Sequence, residues 1–105
     1  MKPLPIWQDE KGFEQAIVDL ATLLGWKVHR VNNSRRSPEG WPDLFLVHPE
    51  RGEFFATELK SDGGRLTKAQ GAWLDALGAC NIETHVWRPY DWKHVEARLK
   101  GEVKR

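Results

Sequence analysis

Residues 43–60 read DLFLVHPERGEFFATELK, and the pattern within them decides the fold. Asp43 to His48 reads as a strand, and Pro49 to Gly52 supplies the turn chemistry of a tight connection. Glu53 to Lys60 reads as a second strand that returns antiparallel, so the stretch is a hairpin. Period-two alternation puts Phe54, Ala56, Glu58 and Lys60 on one face of this strand, with Phe55, Thr57 and Leu59 on the other. Asp43 opens the neighbouring strand directly after Gly40-Trp41-Pro42, and Pro42 restricts the backbone of Trp41. The hairpin therefore brings Asp43 to the Lys60 end. Two carboxylates and one lysine gather at a sheet edge beside loops.

Upstream, Lys11 to Leu24 carries Phe13, Ala16, Ile17, Leu20, Leu23 and Leu24 at three-and-four spacing, an amphipathic helix that Gly25 ends. Trp26 to Val31 reads as a strand, and Asn32 to Gly40, dense in Asn, Ser, Arg, Pro and Gly, as a surface loop. Downstream, Gly63-Gly64 marks a loop. Thr67 with Gln70 three residues later forms a capping box for a helix that reaches about Leu77, with Gly78 behind it. Glu83 to Trp87 reads as a fourth strand, and Asp91 caps a last helix ending near Leu99. The order αβββαβα predicts an α/β sandwich around a small mixed sheet.

The chain has 105 residues, enough for one domain over residues 1–105 and no second core. A chain this short buries only about two-thirds of its unfolded surface, so a dimer interface is a natural source of extra stability. No apolar run approaches a bilayer span, which predicts no membrane partner. Met1 to Asp9 has no signal-peptide core, and the single cysteine, Cys80, cannot pair internally. The cytoplasm is the expected compartment. The formal net charge is only +1, yet Lys27, Arg30, Arg35 and Arg36 fall in one stretch without an acid. A local phosphate-binding surface is compatible with near-neutral overall charge.

The oxygen ligands of Asp43 and Glu58 suit a hard cation such as Mg²⁺, which keeps waters and engages phosphate. Such an ion polarises a phosphoryl oxygen and acidifies bound water. Lys60 is placed to position that water or to stabilise charge developing on the phosphate. Taken alone, Glu58-Leu59-Lys60 is what solvated strand charge looks like. The joint pattern is more pointed, because these charges continue an apolar face and a strand-opening Asp precedes them.

Gly40-Trp41-Pro42-Asp43 followed by Glu58-Leu59-Lys60 resembles the PD-(D/E)XK nuclease motif. A helical Glu14 upstream, the Asn32-Asn33-Ser34 loop and Gln70 downstream make the chain similar to the VRR-NUC branch in particular. The resemblance runs from Phe13 to about Trp87. It implies the restriction-endonuclease-like fold, with metal ligation by Asp43, Glu58 and the Leu59 carbonyl. It assigns Lys60 to the attacking water, Glu14 to metal or water contacts, and Gln70 to orienting the site. Mg²⁺ or Mn²⁺ is the implied cofactor. Stand-alone members resemble homodimers that cleave branched DNA, including four-way junctions, and small proteins of this kind suggest a phage origin. Trp41 departs from the small aliphatic residue of the family pattern.

Supporting positions have plainer readings beside the functional ones. Glu14 also suits the positive end of its helix. Gln70 lines up with Trp73, Leu74 and Leu77 on the apolar face, where an amide needs partners; the cap and the site carboxylates both offer one. Arg30, Asn32, Asn33, Ser34, Arg35 and Arg36 are the candidate phosphate contacts, with Arg65 and Lys68 a second basic pair. Trp41 is a candidate stacking platform for a base. Trp26, Trp73 and Trp87 fall at core positions, and the four histidines lack metal-ligand spacing. The expected function is a metal-dependent DNA endonuclease acting on junctions. The rivals are a flap or duplex nuclease of the same fold and a non-catalytic DNA-binding module.

Overall fold

A computed structural model describes residues 9–31 and 36–102. The elements are α1 (Glu10–Leu23), β1 (Lys27–Arg30), β2 (Leu44–His48), β3 (Glu53–Leu59), α2 (Lys68–Ala79), β4 (Thr84–Trp87) and α3 (Trp92–Lys100), with a 3-10 turn at Pro89–Asp91 before the last helix. The sheet order is β1-β2-β3-β4. β1, β2 and β3 run antiparallel in sequence, and β4 joins β3 in parallel. The sheet is therefore mixed and the element order is the expected one.

Alternation along the strands separates two faces of unequal burial. Leu44, Leu46, Phe55 and Leu59 meet Phe13, Ile17 and Ala21 of α1 and Val95 and Leu99 of α3, with Trp26 and Trp87 closing the cluster. This face is the core. The opposite face carries Phe45, Val47, Phe54 and Glu58, and α2 lies over only part of it. Val47 and Phe54, paired across β2 and β3, stay 42% and 49% exposed. No residue of α2 is fully buried, so Trp73, Leu74, Leu77 and Gln70 sit on a half-buried face rather than in the core.

Local chemistry explains the boundaries. The Asp9 side chain accepts the Gly12 N–H and caps α1, while Gly25 at φ +95° takes the left-handed position after it. Gly78 does not end its helix: α2 continues to Ala79, and Asn81 at φ 62° provides the left-handed exit. Asparagine tolerates that region better than most residues. Asp91 precedes α3 as expected, but its carboxylate accepts the Arg88 N–H at 2.9 Å and so closes the 3-10 turn instead of capping α3.

One polar group sits deep in the core side. Arg98 is 1% exposed, and donates to Glu83 through Nε at 2.6 Å and Nη2 at 2.9 Å, and to Glu53 through Nη1 at 3.2 Å. Its guanidinium also lies over the rings of Trp26 and Phe55. His85, at 2.6 Å from Glu83, completes the network. His48 is buried too, with Nε2 at 3.0 Å from the Leu24 carbonyl, so it is an interior strand residue. Among the described residues no helix is long and apolar enough to cross a membrane.

Candidate active site

The hairpin register sets Leu44 opposite Thr57, which leaves Asp43 opposite Glu58 at the open end. The Asp43 Oδ2 accepts the Leu59 N–H at 2.8 Å, and its carbonyl accepts the Val31 N–H at 2.9 Å. Asp43 is thereby pinned between β1 and β3. Glu58 is 3% exposed. Its Oε2 accepts from Gln70 Nε2 at 3.1 Å, while Oε1 is buried with no donor. Burial first, and then the Asp43 carboxyl beside it, push the Glu58 carboxyl up to about 8, with Lys60 opposing them. Two carboxyls forced together in a poorly hydrated place hold a proton between them unless a cation replaces it.

A cleft of about 210 Å³ opens beside this pair, lined by Glu10, Lys11, Glu14, Val31, Asp43 and Leu59. Glu14 thus lines the cleft, half-buried. Glu10, one turn earlier, lines the same cleft, and its Oε1 accepts the Ser61 N–H at 3.0 Å. Sequence reading passed over Glu10 because a first-turn carboxylate is so ordinary. Its place next to the hairpin end is what distinguishes it. Lys60 follows β3 directly, half-buried, with its N–H on the Trp87 carbonyl at 3.0 Å.

On the other side of Asp43 a second cleft of about 290 Å³ runs along Val31, Ser37, Pro38, Glu39, Gly40, Trp41 and Gln70. Gly40 makes this approach possible. At φ +85° any side chain would be strained, and an added Cβ would stand 2.4 Å from the Ala69 carbonyl carbon. Loop and helix α2 are in backbone contact there, which sets Gln70 over Glu58. Trp41 stacks on Phe45 with ring centroids 5.4 Å apart and meets Trp73 edge-on at 4.7 Å. Its rings bridge the sheet to α2, and that is the local reason for a large aromatic at this position.

The basic candidates are dispersed. Arg30 turns toward α1 and donates to Gln15 Oε1 at 2.6 Å. Arg36, Arg65 and Lys68 are exposed. Asn32, Asn33, Ser34 and Arg35 lie outside the described residues.

The VRR-NUC domain matches residues 2–89. The chain belongs to the VRR-NUC family. It is a nuclease domain of the PD-(D/E)XK type, which is an enzyme assignment, and its mixed sheet with flanking helices is that fold. Among curated proteins it is similar to a Fanconi-associated nuclease 1 homolog of Schizosaccharomyces pombe, 36% identical over 52 residues, or 50% of this chain. It is likewise similar to a Fanconi-associated nuclease 1 homolog of Caenorhabditis briggsae, 36% identical over 66 residues, or 63% of this chain. The match spans only 7% of the length of each relative. No solved structure matches the VRR-NUC chain.

Nuclease domains of this type generally use divalent metal ions, and the residues present fit one. The donor set is hard oxygen, and the buried Glu58 Oε1 lacks a donor in the protein. Among the described residues no three His, Cys, Asp or Glu side chains converge on one point. Asp43 and Glu58 supply two carboxylates side by side at the open end of the hairpin, and Glu14 and Glu10 line the cleft alongside.

Proposed function

We propose that this VRR-NUC domain is a Mg²⁺-dependent endonuclease that hydrolyses phosphodiester bonds in branched DNA, four-way junctions included, as a homodimer. The observation that carries the chemistry is the buried Glu58 carboxyl beside Asp43, one oxygen held by Gln70 and the other without a partner. A pair of carboxyls in that state is a receptor for positive charge.

Asp43, Glu58 and the Leu59 carbonyl would hold the ion, with Mn²⁺ as a substitute, and Glu14 would contact it through water. When bound, it supplies polarisation of the scissile phosphate and a more acidic water. Gln70 fixes the rotamer of Glu58. The Leu59 N–H fixes that of Asp43, so the acceptors are oriented before substrate arrives. Lys60 adds a positive charge against the phosphate and orients the attacking water. Arg36, Arg65 and Lys68 provide sequence-independent phosphate contacts, and Asn32, Asn33, Ser34 and Arg35, which lie outside the described residues, have side chains of the kind that serve the same purpose.

Paired incision of a junction needs two active sites in fixed relation, which a two-fold dimer supplies. The exposed Val47 and Phe54 and the half-buried face of α2 offer apolar surface for such contact. The test is incubation of the purified chain with labelled junction, flap and duplex DNA, in Mg²⁺ and in EDTA, alongside its mass by sedimentation. Mg²⁺-dependent paired cuts in the junction by a dimeric species are expected. Binding without cutting on all three substrates would assign a DNA-binding module instead, and cutting of duplex or flap alone would replace the junction assignment.

A further inference from the structure

The segment after Lys60 is held from two sides by residues outside the nuclease motif. The Ser61 N–H donates to Glu10 Oε1 at 3.0 Å, from the first turn of α1. The Ser61 carbonyl accepts from Arg88 Nη1 at 2.8 Å, and the same nitrogen reaches the Gly64 carbonyl. Arg88 follows β4, so the grip spans the domain from its first helix to its last strand. Two further bonds close the segment. The Gly64 N–H donates to the Ser61 carbonyl at 3.1 Å, and the Tyr90 N–H donates to Asp62 Oδ1 at 3.0 Å. Gly64 lies close against Ser61 in this turn, where an added Cβ would stand 2.9 Å from the Ser61 Oγ and 3.5 Å from its backbone.

We propose that Glu10 and Arg88 are positioning residues that fix Lys60 by clamping the backbone of Ser61. The inference rests on the role proposed for Lys60 above. A loop bearing two glycines, Gly63 and Gly64, directly after a reactive lysine would otherwise let the lysine backbone wander. β3 ends at Leu59, so the ladder restrains Lys60 only through its N–H to Trp87. The clamp supplies the missing restraint on the other side. Its acidic arm also lines the catalytic cleft, which an arbitrary structural staple would have no reason to do. A displacement of about 1 Å at such a group costs on the order of a hundredfold in rate.

The test compares Glu10→Ala with Glu10→Gln. Both remove the charge of Glu10, so any effect of that charge on Glu58 is common to them. Only the glutamine retains an acceptor for the Ser61 N–H. Three readouts are taken on the full chain: amide exchange at Ser61 and Gly64, the rate at which an amine-acylating reagent modifies Lys60, and kcat and KM on the cleaved DNA. Glu10→Ala is expected to speed exchange at Ser61, alter Lys60 acylation several-fold and lower kcat roughly tenfold to a hundredfold with KM little changed. Glu10→Gln is expected to restore all three, and Arg88→Ala to reproduce the alanine phenotype from the opposite side. Faster exchange at Ser61 with unchanged Lys60 acylation would overturn the proposal, as would a glutamine variant no better than alanine. Absence of cleavage by the wild-type chain would sink the nuclease reading alone, because exchange and acylation still report on the clamp.

Discussion

Gln70 Nε2 donates to Glu58 Oε2 at 3.1 Å while Gln70 Oε1 accepts the Thr67 N–H at 2.8 Å. One amide therefore closes the capping box of α2 and holds a site carboxyl, and its orientation is fixed by the helix it begins. The two duties are separable by mutation. Thr67→Ala removes the hydroxyl that accepts the Gln70 N–H and is expected to cost about 1 kcal/mol of stability, with activity retained. Gln70→Ala is expected to cost at least as much and also to lower kcat by an order of magnitude or more. Urea titration and single-turnover cleavage distinguish the two variants.

Glu58 makes the stability of the metal-free protein depend on pH in an unusual direction. Its folded carboxyl is raised from 4.5 to about 8. Between those values the folded state keeps a proton that the unfolded chain has released, so stability falls as pH rises across that window. Glu58→Gln is therefore expected to raise Tm at pH 8, on the order of 5 °C, and to change it little at pH 4.5. Mg²⁺ is expected to raise the wild-type Tm more at pH 8 than at pH 5, since ion and proton compete for one site. Calorimetry at both pH values, with and without the ion, checks the sign.

Gly40→Ala tests the contact between the loop and α2. The new Cβ meets backbone at 2.4 Å and sits at φ +85°, neither of which a rotamer change relieves. A loss of about 1–3 kcal/mol is expected, together with reduced activity because Asp43 and Gln70 flank the contact. Denaturant midpoints and cleavage rates should fall together.

On the far side of the sheet, Arg98→Leu removes the guanidinium that bridges Glu83 and Glu53 and is expected to cost about 3–5 kcal/mol. Burial alone would raise Glu83, but its bonds to Arg98 and His85 outweigh that and hold it below the usual carboxylate range. Burial pushes His85 below the usual imidazole range in spite of Glu83. Both shifts act alike. His85 loses its contribution as pH falls below its unfolded value of about 6.5, and Glu83 loses its own at lower pH still. The Tm of the Glu58→Gln variant should therefore fall on acidification over that range. The variant lacking Arg98 should show a shallower fall below pH 5, because Glu83 no longer carries its depressed value.

The hairpin, the two-face alternation of β3 and the capping box were legible because each is written in neighbouring residues. Asp43 at the Lys60 end of the hairpin follows from strand period and turn length alone. Glu10, Arg88 and the partners of Arg98 were not legible, since Glu10 meets Ser61 across 51 positions and Arg98 meets Glu53 across 45. Local pattern carries no record of such pairings. Gly78 misled as a helix end because Asn81 three residues later provides the left-handed turn. Trp41 was a candidate platform for a base, and only the tertiary approach of Phe45 and Trp73 shows that its rings already have partners.

The core lies between the sheet and helices α1 and α3, while α2 buries no residue completely. The least anchored helix is thus the one that supplies Gln70. Elements with little buried apolar surface open at lower free energy than the whole domain. Lifting α2 would release Glu58 and break the Trp41–Trp73 contact with the central packing untouched. Warming should then silence the enzyme some degrees before the domain melts, and cooling should restore it, so the domain carries a thermal dimmer ahead of its point of collapse.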